Sequence, residues 1–117
     1  MRIMLPWPPA VNNLYTNTGS GRRLSQRGRD YYELGGKLLL EQGISKRFSK
    51  TVRLGLEITA WPPDKRIRDL DGLLKAPSDA LMKAGVYPDD SQFNYILIRK
   101  GGEVYDDLIE ITLGEPK

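Results

Sequence analysis

The sequence predicts a single α+β domain, a mixed or antiparallel sheet with helices packed on one face, in the order β-α-β-α-β-β. Three observations lead there. The 117 residues are too few for two ordinary domains but enough to bury about two thirds of the unfolded chain's surface in one core. Two strand-like segments each stop at Trp-Pro-Pro, Trp7-Pro8-Pro9 and Trp61-Pro62-Pro63. Two segments with apolar residues at helical spacing separate the strand-like ones.

The first strand is predicted over residues 2–7, and Pro8-Pro9 ends it because proline lacks the amide a ladder needs. Residues 12–23 are rich in Asn, Thr, Ser and Gly, have no apolar periodicity, and read as a loop. Ser25 reads as the N-cap of a helix running to about Gln42, with Tyr31, Leu34, Leu38 and Leu39 as its apolar stripe. Gly35-Gly36 in its middle weakens that helix by about 1 kcal/mol each relative to alanine. Residues 51–61 alternate, with Leu54, Leu56 and Ile58 on the buried face, and Pro62-Pro63 ends this strand as Pro8-Pro9 ended the first. The two Trp-Pro-Pro segments read as convergent strand stops, since nothing flanking them matches. A charged turn then leads to a helix over residues 69–83 with Leu70, Leu73, Leu74 and Leu81 on its core face and Gly85 as its stop. Pro77 is expected to kink that helix or divide it at Ser78. Strands are predicted over residues 93–99 and 108–113, and Gly101-Gly102 in the connection suggests an antiparallel hairpin.

The chain has no cysteine and no histidine. That excludes disulfides, Cys/His zinc sites, cysteine nucleophiles and every histidine-based acid–base mechanism. Hydrolytic chemistry must rest on carboxylates, lysine, hydroxyls or an oxygen-ligated hard cation such as magnesium. No apolar run reaches the ~20 residues needed to span a bilayer, and the N-terminus lacks a signal-peptide pattern, so a soluble cytoplasmic protein is expected. The net charge of +3 is unevenly spread. Residues 1–60 carry ten Lys/Arg against four Asp/Glu, and residues 61–117 carry eight against eleven. A basic face for a polyanion beside an acidic cluster for a metal fits that asymmetry; ordinary solvated surface fits it as well.

The informative stretch is residues 66–75. Asp69 and Asp71 sit where an extended turn feeds a helix, a geometry that allows both to point the same way. Lys75 is four residues beyond Asp71, and Asp89-Asp90 lies in the turn before a later strand. Carboxylates held together repel, and a divalent cation relieves that repulsion while polarising a phosphate and acidifying water. A nearby lysine stabilises charge in the transition state. The plainer alternatives are a helix N-cap for Asp69, a first-turn dipole partner for Asp71, an i,i+4 partner of Asp71 or Asp79 for Lys75, and turn chemistry for Asp89-Asp90. An EF-hand is excluded, because aligning Asp69-Leu70-Asp71-Gly72 to its loop puts Ile67 and Ser78 at carboxylate positions. Arg22, Arg23 and Arg27, and Lys65, Arg66 and Arg68 just before the acids, are candidate phosphate contacts. Tyr15, Tyr31 and Tyr32 are candidates for stacking on bases or for core positions.

These residues resemble the RusA-type Holliday junction resolvase family. The resemblance rests on Leu5-Pro6-Trp7-Pro8-Pro9 with Asn12-Asn13; on Arg68-Asp69-Leu70-Asp71 with Leu73 and Lys75; and on Asp79-Ala80-Leu81, Lys83-Ala84-Gly85, Asp89-Asp90 and Gln92. No piece is specific alone, but the ordered set spans nearly the whole chain. It implies a magnesium-dependent homodimer, with manganese as a substitute, that binds four-way DNA junctions and nicks two opposed strands, typically phage- or prophage-encoded. Asp69, Asp71 and Asp90 would be catalytic metal-binding carboxylates, Lys75 the catalytic lysine, and Asp89 a reserve ligand. Gly72, where family members often have asparagine, and Pro77 depart from the pattern. A non-catalytic branched-DNA-binding module and a metal nuclease of broader structure preference are the alternatives.

Overall fold

The computed structural model describes residues 1–19, 21–66, 68–102 and 105–115. Strand β1 (Arg2–Pro6) is followed by a short helix α1 (Val11–Leu14) and a two-stranded hairpin, β2 (Tyr15–Thr18) with β3 (Gly21–Leu24). Helix α2 (Gln26–Glu41), strand β4 (Leu54–Trp61), a 3-10 turn (Leu70–Leu73), helix α3 (Lys75–Lys83) and a second 3-10 turn (Asp90–Gln92) come next. Strands β5 (Phe93–Lys100) and β6 (Leu108–Gly114) complete the chain. The main sheet is mixed, in the order β1-β6-β4-β5. Helices α2 and α3 and the first 3-10 turn pack against it, burying Leu39, Leu81 and Leu73 with the sheet residues in one core. No described helix is long and apolar enough to cross a membrane.

Four expectations need correction. Of residues 12–23, those described are not a loop but the end of α1 and the β2–β3 hairpin, residue 20 lying outside the described residues. The hairpin escaped notice because its outer residues are polar on both faces, Thr16, Asn17, Arg22 and Arg23 all being exposed, so it has no buried stripe to betray it. The second predicted helix is two elements, a 3-10 turn and α3, and the division falls at Leu74 rather than Ser78. Pro77 is the third residue of α3. In a first turn the missing amide costs nothing, because that amide has no intrahelical acceptor. The buried stripe of α2 runs through Gly28, Tyr31, Gly35 and Leu39, while Leu34 is 43% exposed. Gly35 is therefore a contact residue: a Cβ there would lie 3.4 Å from the Ala80 side chain of α3, and the bare backbone lets the two helices close.

The fourth correction concerns the last two strands, which do not form a hairpin. β5 pairs in parallel with β4, and β6 lies on the other side of β4, antiparallel to it and to β1. Ile109, Ile111 and Leu113 of β6 are fully buried, whereas Tyr95, Ile96 and Leu97 of β5 are each more than 40% exposed. The strand with the strict apolar alternation takes the centre, where each buried side chain stabilises by about 1.5–3 kcal/mol. At the end of β4 lies Gly101, whose amide donates to Ala60 O at 2.9 Å and where an added Cβ would run into the Trp61 ring. Ser25 does cap α2, accepting from Gly28 N at 3.1 Å while its hydroxyl donates to Asn13 O at 2.6 Å.

The strand order makes a test. Ile111→Ala at the centre should cost about 2–5 kcal/mol in urea unfolding, and Ile96→Ala on the β5 edge under about 1 kcal/mol. Equal losses would contradict the central position of β6.

Candidate active site

The site begins where β4 stops. Register places Pro6 and Trp61 on either side of Leu108, so both Trp-Pro-Pro corners lie at the same end of the sheet. Asp107 ties them: its carbonyl accepts from Trp7 N at 3.2 Å and its amide donates to Pro62 O at 3.4 Å. Beyond Pro63, Asp64 gathers the basic turn. Its carboxylate pairs with Arg66 Nη2 at 3.1 Å and Arg68 Nη1 at 2.8 Å, and these bonds hold it well below the usual carboxylate range. Arg68 is also set 5.6 Å above the Trp7 ring.

Two adjoining clefts open at this corner. One, of about 390 Å³, is lined by Trp7, Pro8, Arg68, Asp69, Asp71 and Gly72 among others. The other, of about 660 Å³, shares Trp7, Pro8 and Arg68 with it and adds Arg27 and Arg66. Carboxylates and guanidinium groups thus face neighbouring parts of one surface depression.

Asp69 occupies the N-cap position of the first 3-10 turn but its side chain makes no capping bond. Asp71 lies inside that turn, before α3 begins, so it does not stack on Lys75, whose ion pair is with Asp79 at 3.1 Å. Among the described residues, neither Asp69 nor Asp71 has a side-chain hydrogen bond or ion pair, and both are exposed. Asp89, by contrast, is fully employed. Its Oδ1 accepts from Ser91 N at 3.1 Å, and its amide donates to Gln92 Oε1 at 3.2 Å, a capping box for the second 3-10 turn. The bonds from Ser91 lower its pKa. Gln92, buried, anchors the turn by donating to Ser49 O and Val52 O at 2.8 Å each. Asp90 is the exposed first residue of that turn and lies within electrostatic reach of Lys75.

Among the described residues, no three acidic side chains form a group that could hold a metal ion by themselves. The donor chemistry nevertheless fits a hard cation. Magnesium binds through one or two carboxylates and takes its remaining oxygens from water and phosphate, and Asp69 and Asp71 are two uncommitted carboxylates lining one cleft.

The other predicted residues are distributed around this centre. Arg27, Arg66 and Arg68 line the larger cleft. Arg22 and Arg23 stand on β3, with the Arg22 guanidinium 4.4 Å above the Tyr15 ring, and Lys65 is exposed on the turn. Tyr31 is core, 6% exposed with its hydroxyl donating to Pro6 O at 2.9 Å, and does not face a substrate. Sequence reasoning missed the weight of Trp7, Asp79 and Tyr32. Asp79 was visible as an i,i+4 partner of Lys75 and as part of the Asp79-Ala80-Leu81 piece; nothing in the sequence marked it as buried.

An α+β scaffold with uncommitted carboxylates, a lysine and arginine-lined clefts defines a class of protein whose chemistry runs without histidine or cysteine. The chain belongs to the RusA endodeoxyribonuclease family, whose sequence pattern, described as Endodeoxyribonuclease RusA, matches residues 6–113. It is 32% identical over 114 residues to the crossover junction endodeoxyribonuclease rusA of Enterobacteria phage HK97, covering 97% of this chain and 93% of that protein. It is 33% identical over 118 aligned positions to the proteins called crossover junction endodeoxyribonuclease RusA of Escherichia coli (strain K12) and of Enterobacteria phage 82, covering 97% of this chain and 92% of each.

The neighbouring acids should separate in thermal melts at pH 7. Asp89→Ala should lower Tm, because it removes the capping box, while Asp90→Asn should leave Tm at the wild-type value. An equal drop in both would make Asp90 structural too.

Proposed function

We propose that this protein is a metal-dependent crossover junction endodeoxyribonuclease that resolves four-way DNA junctions by paired nicking in recombination and repair. The observation that carries the reading is the pair Asp69 and Asp71: exposed, partnerless among the described residues, and lining a cleft continuous with an arginine-lined one. Surface carboxylates that cap nothing and pair with nothing, beside a polyanion-binding surface, cost affinity unless they bind a cation.

Asp69, Asp71 and Asp90 are the carboxylates we assign to magnesium, with manganese as a substitute. A divalent ion, when bound, supplies charge relief at the phosphate and a more acidic water. The remaining work falls to the chain. Arg27, Arg66 and Arg68 hold DNA phosphates beside the acids, and Asp64 with Trp7 restricts Arg68 before DNA arrives. Arg22 and Arg23 present charge from the hairpin, and Lys65 from the turn. Lys75, kept protonated above its ordinary pKa chiefly by its hydrogen bond to Asp79, stabilises the negative charge that builds on the phosphate oxygens. A cytoplasmic protein fits this role, with no membrane partner.

Parallel gel-shift and cleavage assays on one labelled four-way junction and a matched duplex, with and without magnesium, test this. Asp69→Asn, Asp71→Asn and Asp90→Asn should each raise the cleavage barrier by several kcal/mol yet leave junction binding intact or tighter. In the same gels, alanine at Arg22, Arg23 and Arg27 should weaken binding and flatten its salt dependence. Full cleavage by both Asp69→Asn and Asp90→Asn would overturn the assignment, and tight binding without magnesium-dependent cleavage by the wild type would favour the binding module.

A junction offers two equivalent strands, and one chain brings one set of acids, so we assign a twofold homodimer. The free edge of β5, with Tyr95, Ile96 and Leu97 exposed, is the surface that fits a second copy. The opposite edge is closed by Gln42, whose side chain bonds Met4 N at 2.7 Å and Met4 O at 2.8 Å. Sedimentation at micromolar concentration should give a dimer, lost in Ile96→Asp; a wild-type monomer that still makes paired nicks would refute it.

A further inference from the structure

Asp79 is a carboxylate in the buried part of α3. It is 8% exposed, and residues 76–81 around it are all buried. A buried carboxylate without partners is strongly disfavoured, and Asp79 has two: its Oδ2 lies 3.1 Å from Lys75 Nζ, one turn earlier, and accepts from Tyr32 Oη of α2 at 3.3 Å. Burial, and then the charge of Asp79, push the Tyr32 phenol well above its ordinary pKa, so it stays a donor. Tyr32 packs with Tyr15, at the foot of the β2–β3 hairpin, against the cluster of Leu14, Tyr31, Ala76 and Ala80, and the Tyr15 ring carries the Arg22 guanidinium. Lys75 is the one member of this set that reaches well into solvent: its side chain is 47% exposed, against 12% for Asp79. Its ammonium has no other carboxylate within ion-pair distance among the described residues.

We infer that Asp79 is the positioning residue of Lys75, with Tyr32 holding the Asp79 carboxylate in place. A lysine at the first position of a helix has a long flexible stem and many rotamers. One of its three N–H donors fixed to a buried carboxylate sets where the ammonium stands, and two donors remain for phosphate oxygens. The chain Lys75–Asp79–Tyr32 ties that ammonium to α2, and Tyr32 packs on the same cluster as Tyr15 of the hairpin that carries Arg22 and Arg23, so the lysine is held by the same packing that fixes the foot of the basic arm. Asp79 itself is committed to Lys75 and Tyr32 and does not act as a metal carboxylate. The inference rests on the reading of Lys75 as a participant in phosphodiester cleavage.

The test is single-turnover cleavage of a four-way junction at saturating protein with magnesium, alongside junction gel shifts and thermal melts, for Asp79→Asn, Tyr32→Phe, Lys75→Met and the Asp79→Asn/Lys75→Met double variant. Asp79→Asn should slow the saturated rate roughly ten- to a hundredfold, as misplacement of a catalytic group does, with junction affinity unchanged. Tyr32→Phe should fall in the same direction by less, and it carries the test if Asp79→Asn does not fold. The double variant should be no slower than Lys75→Met alone, since a positioning residue has nothing left to position. A merely structural Asp79 would add its loss to that of Lys75→Met and weaken binding, which overturns the inference. Wild-type cleavage by Lys75→Met would refute the reading of Lys75 and the inference with it. An inactive Lys75→Met beside fully active Asp79→Asn and Tyr32→Phe would refute the positioning role alone.

Discussion

Strand β6 pairs with β4 along its whole length and with β1 along most of it, antiparallel to both. Ile111 lies between Ile3 and Ile58, and Ile109 between Leu5 and Ala60, so the centre of the core is a set of cross-strand rows on one face of the sheet. Because β1 and β4 run the same way, both end at the same side of the molecule. Two proline pairs that look redundant in sequence thereby become one corner, joined by Asp107. The clefts that hold the acids and arginines are built on that corner, and Trp7 belongs to both.

Carboxylates in this protein divide by whether the fold uses them. Asp64 organises the basic turn, Asp89 closes a capping box, and Asp79 is buried against Lys75 and Tyr32. Asp69 and Asp71 do none of these things. An acid that satisfies backbone amides or a neighbouring cation lowers the free energy of the folded chain by itself. An exposed acid without such a partner adds only repulsion to its neighbours, and a bound cation is the simplest compensation. Asp89 and Asp90, adjacent in the chain, differ in place: Asp89 closes the capping box, while Asp90 is the exposed first residue of the turn.

The connection between β4 and β5 does two jobs at once. It carries the chain back across the sheet so that β5 can pair in parallel with β4, and it places the first 3-10 turn and α3 over the core. The acidic turn is thus attached to a buried element, Leu73, and not to a free loop. Lys75 follows at the start of α3, and close packing of Gly35 against Ala80 brings Tyr32 within reach of Asp79.

By itself the sequence determined the elements whose signals are local: β1, the Ser25 cap and α2, the alternation of β4, and the stops at both proline pairs. It also narrowed the chemistry open to the chain, because the lack of histidine and cysteine excludes mechanisms built on them, and the ordered motifs from Leu5 to Gln92 placed it beside one family. The strand order was not legible. Residues 93–99 and 108–113 read as neighbours, and only the competition for the fully buried central position, which Ile109, Ile111 and Leu113 win, sends them to opposite sides of β4. The polar hairpin was hidden because neither face is buried, and the role of Pro77 depended on where α3 starts. In the candidate site, Asp69, Asp71, Lys75 and Asp90 were expected from spacing and resemblance, but which acids are occupied by structural bonds and which remain open is a property of packing. Burial of Asp79 and its contact with Tyr32, 47 residues away in the chain, arise from two helices meeting at a glycine and an alanine, a long-range event that no local pattern encodes.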